Sequence, residues 1–81
     1  MLRVPKRQVE FWAVRLSDGH QSWAKIWGPI RYYEIEKHLK RNNGAFEPGA
    51  KVENGARLLG RFRTKEEAYA AAVELGFSNV S

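Results

Sequence analysis

The sequence predicts an α+β fold: a small antiparallel sheet of three to four strands, packed on one face by a C-terminal helix, in the order ββαβ(β)α. Three observations predict it. Residues 8–16 (QVEFWAVRL) are rich in β-branched and aromatic types, as strands are. Asp18-Gly19 and Asn54-Gly55 are tight-turn dipeptides set between extended runs. Residues 64–76 carry a complete helix grammar. Thr64 and Glu67 form a capping box, Ala68, Ala71, Ala72 and Leu75 repeat at helical spacing, and Gly76 stands at the C-terminal stop.

On the first strand, Trp12, Val14 and Leu16 share one face, while Phe11, Ala13 and Arg15 share the other. The turn 17–20 leads into a second strand over 21–27 (QSWAKIW). Gly28-Pro29 is expected to end it, because proline cannot donate to a ladder. Residues 30–41 fit a helix through Tyr32, Ile35 and Leu39, with Lys40-Arg41 suited to its C-terminus and Asn42-Asn43-Gly44 as its stop; the β-favouring pair Tyr32-Tyr33 leaves an extended second strand as the rival. A hairpin over 51–58 turns at Asn54-Gly55, and its second strand runs to about Arg63. The alanines of the last helix allow close approach to the sheet, with Phe77 closing the core behind it.

The chain has 81 residues, no cysteine, and 14 Lys plus Arg against 9 Asp plus Glu, a net charge of +5. That length supports one domain (residues 8–79), preceded by a basic arm at 1–7 that carries Arg3, Lys6 and Arg7. Without cysteine there are no disulfides and no Cys-containing zinc site, which fits a cytoplasmic location. No run approaches the roughly 18 apolar residues of a membrane span. The surplus charge is uneven. Residues 1–63 balance at +7 and residues 64–81 at −2, so the positive field belongs to everything before the last helix.

Catalysis finds no footing. Asp18 is the sole aspartate, and His20 beside it belongs to turn chemistry. Glu34 and His38 lie four apart on the helix, where a surface ion pair is the expected role. Two ligands make no metal site, and no phosphate-binding glycine loop is present. The expectation is a chain that is not an enzyme, with no cofactor and no metal.

Binding finds more. In the strand before the last helix, Leu58, Gly60 and Phe62 alternate with Arg57, Leu59, Arg61 and Arg63. The first set suits a core, and the second places three guanidinium groups on an open face. If Ala24 and Ile26 point inward, Trp23, Lys25 and Trp27 join them, with Arg15 and Phe11 from the first strand. Cations neutralise phosphates, and flat rings stack on bases. The candidate nucleic-acid-binding residues are therefore Arg15, Trp23, Lys25, Trp27, Arg57, Arg61 and Arg63. Burial of Trp23 and Trp27 in the core is the alternative, with Lys25 snorkelling past them.

Phe11-Trp12-Ala13-Val14-Arg15, together with Gly55-Ala56-Arg57-Leu58-Leu59-Gly60-Arg61-Phe62-Arg63-Thr64-Lys65-Glu66-Glu67-Ala68, resembles the N-terminal RNA/DNA-hybrid-binding (viroplasmin-like) domain of eukaryotic ribonuclease H. The likeness covers about a third of the chain. It implies binding to a hybrid or to double-stranded RNA across the minor groove, without catalysis. The expected partner is thus nucleic acid (DNA, RNA or hybrid). The rival is a protein-interaction module, a small phage- or plasmid-type inhibitor or adaptor docking on an acidic protein, since tryptophan and arginine also anchor protein interfaces.

Overall fold

The fold was obtained as a computed structural model that describes residues 9–16, 23–53 and 55–81. Strands β1 (Glu10–Arg15) and β2 (Trp23–Ile30) are followed by helix α1 (Tyr32–Arg41), strand β3 (Arg57–Phe62), helix α2 (Lys65–Glu74) and a two-residue strand β4 (Asn79–Val80). The sheet order is β3-β1-β2-β4. β1 runs antiparallel to both neighbours, and β4 pairs in parallel with Trp23 and Ala24 of β2. The α+β class and the order of the larger elements are as the sequence predicts. The basic arm 1–7, the turn with Asp18 and His20, and Asn54 lie outside the described residues.

The central strand is buried on both faces: Trp12, Ala13 and Val14 are all 1% exposed or less. Side-chain size decides what covers each face. Ala13 and Ala24 offer a shallow surface, and α2 meets it with Ala68 and Ala72, both fully buried. Four small residues let α2 lie close against β1, β2 and β3. Ile26, Leu59, Phe62, Phe77 and Val80 close the margins of this layer. Gly60 belongs to the same arrangement. It pairs with Ala13, and a Cβ there would stand 2.7 Å from the Phe62 ring.

The other face is not open. Trp12 and Val14 project into a cluster with Ile35 of α1, Leu58, Ala56 and Phe46, and Leu39, Trp27, Ile30, Ala50 and Val52 pack around it. Here α1 reaches the sheet through long side chains. The expected exposed sheet face is therefore replaced by a second layer. The apolar stripe of the middle helix needs a surface to cover, and the Trp12 face is the one that α2 leaves free.

β2 does not end at Gly28-Pro29 but continues to Ile30 through an irregular register between Glu10 and Trp12. Gly28 is required there because the Phe11 ring occupies the space a side chain would need. Pro29 is tolerated because the pairing with β4 and Ser81 ends at Ile26, and among the described residues no strand pairs with that edge beyond it.

The 51–58 hairpin forms as a short flank on β3. Leu58 N–H donates to the Ala50 carbonyl at 2.9 Å, Val52 N–H to that of Ala56 at 2.9 Å, and Gly49 N–H to that of Leu58 at 2.7 Å. Thr64 caps α2 as expected, with Glu67 N–H donating to Thr64 Oγ1 at 3.1 Å. Leu75 departs from the expected stripe: it is 60% exposed beyond the last helical residue.

The close α2 contact is testable. Ala72→Leu is expected to cost about 1–3 kcal/mol of unfolding free energy by overpacking, measured by urea denaturation. Unchanged stability would mean that α2 is free to shift away from Ala13 and Ala24.

Candidate nucleic-acid interface

A bulge in β3 decides where the arginines go. Ala13 pairs with Gly60 and Val14 with Leu58, so one residue of β3, Leu59, has no partner of its own on β1. An extra residue in one strand inverts the alternation beyond it. Arg57 pairs with Arg15 on the α2 face, whereas Arg61 pairs with Trp12 on the α1 face. The expected single face carrying Arg57, Arg61 and Arg63 is thus split. Arg63 lies beyond the end of β3 and is exposed.

Arg61 is committed to the fold. Its Nε donates to Glu10 Oε1 at 2.7 Å and its Nη2 to Glu10 Oε2 at 2.9 Å, a forked pair with both side chains 22% exposed. The Trp12 indole N–H donates to the same carboxylate at 3.1 Å, and the guanidinium lies 5.6 Å from the Phe46 ring centroid. These contacts occupy the groups with which Arg61 would hold a phosphate.

Arg15, Lys25, Lys51 and Arg57 contrast with it. All four are exposed. Lys51 bridges to Arg57, and Arg57 pairs with Arg15, so three cations stand in a row across neighbouring chain segments. At about 4.8 Å per strand spacing, the row spans roughly 10 Å. Like charges placed directly opposite one another oppose folding. Among the described residues the one ion pair formed is Arg61–Glu10, and no carboxylate within ion-pair distance neutralises the row. One Arg57 Nη1 hydrogen donates to the Gly49 carbonyl at 3.1 Å, which steadies that side chain.

Register places Trp23 and Lys25 at the same end of the sheet as this row, since Arg15 faces Ala24 across β1 and β2. Lys25, however, pairs with Val14 and Trp27 with Trp12, so the Trp23, Lys25, Trp27 set lies on the α1 face. Trp27 is half-buried against the core, and Trp23 is 46% exposed. The two tryptophans therefore divide between the two roles considered for them. Phe11, expected on an open face, is half-buried opposite Phe62 and over Gly28.

Lys51 was not among the residues singled out by the sequence. Its signal was the expected hairpin over 51–58; residues 50–52 run alongside the start of β3, and Lys51 adds a third cation to the Arg15–Arg57 pair.

His38 is the buried polar side chain among the described residues, 6% exposed. Its ring stacks on Phe46 (centroids 5.3 Å apart, 23° between planes) and meets Trp12 edge-on at 5.0 Å. The surface ion pair expected with Glu34 is not formed, because His38 points into the Trp12 layer. Among the described residues no three His, Cys, Asp or Glu gather as a metal site would require. No helix there is long and apolar enough to cross a membrane.

Burial pushes the His38 pKa below 6.5. Arg41 and Lys37 push the same way, against Glu53 and Glu34. The unfolded chain then binds this proton more tightly than the folded one. The stability contributed by the neutral ring is complete above pH 6.5 and is lost as pH falls below that value toward the folded pKa. A thermal melt at pH 5 is expected to show a lower Tm than one at pH 7.5, and His38→Phe should shrink that difference. An unchanged difference would assign the pH dependence to other groups.

Comparison of the chain with protein-family models, curated proteins and solved structures finds no match.

Proposed function

We propose that this protein is a non-catalytic nucleic-acid-binding module. The supporting observation is the Lys51–Arg57–Arg15 row. Three exposed cations are held side by side by the backbone, with no described carboxylate to neutralise them. An external polyanion relieves that repulsion and releases its own counterions on binding. Lys25 extends the positive rim on the other face, and Trp23 supplies an aromatic ring beside it. Arg61 and Trp27, both candidates from the sequence, support the fold in this reading and do not touch the ligand. Arg63, exposed beyond β3, is placed for a peripheral phosphate contact. The cytoplasm is the proposed compartment, in keeping with a cysteine-free chain.

The likeness to the ribonuclease H hybrid-binding domain adds an RNA/DNA hybrid to the ligands to be tried. One observation favours the rival reading of a protein partner. The outer edge of β3 at Leu59–Phe62 borders a groove of about 510 Å³ lined also by Leu39, Phe46 and Pro48, a setting in which an extended peptide adds to a sheet.

The test is fluorescence anisotropy with labelled single-stranded, duplex and hybrid oligonucleotides over a range of salt. With three to four cations engaged, log affinity should fall against log salt with a slope of about −2 to −4. Arg15→Ala and Arg57→Ala should each weaken binding and reduce that slope by about 1. Lys65→Ala, which removes the same charge elsewhere, should leave the affinity within about twofold of the parent. Absence of binding to all three ligands at low salt would refute the proposal.

A further inference from the structure

The two helices lie on opposite faces of the sheet, so their solvent sides point in opposite directions. The outward side of α1 carries Tyr33, Glu36, Lys37, Lys40 and Arg41, all exposed, with three cations to one anion. The outward side of α2 carries Glu66, Glu67, Tyr69, Val73 and Glu74, also exposed, with three anions against the one exposed cation of that helix, Lys65. The exposed sides of the two helices thus differ in charge, although the Lys51–Arg57–Arg15 row lies at one end of the sheet on the α2 face, and each helix side has an aromatic ring in its charged field. Tyr33 is 58% exposed and Tyr69 is 50% exposed, with Val73 beside Tyr69 at 48%.

Ordinary helix electrostatics account for part of this pattern. Lys40 and Arg41 suit the C-terminus of α1, and Glu66 and Glu67 suit the first turn of α2. Glu74 has no such account. It stands in the last turn of α2, where the helix dipole disfavours an anion and no basic residue accompanies it. A cationic surface laid on α2 would relieve it.

We infer that the chain associates with second copies of itself head to tail, the acidic Tyr69–Val73 side of α2 docking on the basic Tyr33 side of α1 of the next molecule. The occupant follows from charge complementarity, since the surface that α2 requires is present on the opposite side of the same chain. A head-to-tail contact leaves one free side at each end, so association does not close at a dimer. A single helix face is small beside the roughly 800 Å² per partner of a stable interface, so the complex is weak, reversible and disrupted by salt. The inference does not rest on the nucleic-acid reading, because Arg15, Arg57 and Lys51 take no part in the contact.

Sedimentation velocity tests it, using the intact protein from about 10 μM to 1 mM at low salt. The weight-average mass should rise with concentration from the 9.3 kDa monomer past the dimer, and should fall back in high salt. Two surface variants then separate the geometries. K37Q/K40Q/R41Q keeps only the α2 side, and E66Q/V73Q/E74Q keeps only the α1 side. Each alone should remain monomeric, and an equimolar mixture should form a 1:1 dimer and nothing larger. Three results would overturn the inference: a monomeric parent at every concentration, a dimer formed by either variant alone, or a mixture that stays monomeric.

Discussion

The structure depends on burying both faces of β1 with side chains of unequal size. Trp12 and Val14 fill one side and Ala13 leaves the other shallow. A helix of alanines can approach the shallow side almost to backbone contact, and α2 is such a helix. The tall side needs long side chains from its cover, and α1 and the 44–53 segment supply Ile35, Leu39 and Phe46. One strand of an 81-residue chain thereby organises two layers, which limits the surface a small domain would otherwise leave exposed. The Trp12 layer is fastened at its polar rim by Glu10, whose carboxylate receives both the Trp12 indole and the Arg61 fork.

The same packing sorts the cations. The bulge at Leu59 turns Arg61 toward Trp12 and Glu10 while Arg57 remains beside Arg15. Two arginines four residues apart on one strand thus acquire different work: one neutralises a half-buried carboxylate, and the other adds to a row that no described carboxylate neutralises. A partly buried forked pair exchanges little with solvent anions, whereas an exposed like-charge row gains most from one. This contrast underlies the proposed binding role and moves it from a sheet face to a sheet end.

Much of the fold was legible because its signals are local. The Thr64 cap and the alanines of α2 each specify their own conformation. The candidate site was legible in composition but not in placement. Alternation along Arg57, Leu59, Arg61 and Arg63 assumes an unbroken pleat, and nothing local marks Leu59 as an extra residue. The bulge lies where Leu58 packs in the Trp12–Val14 layer and Leu59 in the layer beneath α2. Burial of the second face was hidden for a similar reason: His38 is polar in isolation, and its place against Trp12 and Phe46 is fixed by tertiary contact. β4 is two residues long, and only its partner Trp23–Ala24 defines it.

In the proposed role Arg57 meets the anion while Arg61 stays with Glu10. NMR of the arginine Nε–H groups during an oligonucleotide titration distinguishes the two. The Arg57 signal should shift progressively. The Arg61 signal should be protected from exchange by Glu10 at the outset and keep its position to saturation. A shift at Arg61 equal to or larger than that at Arg57, with loss of its protection, would contradict the account.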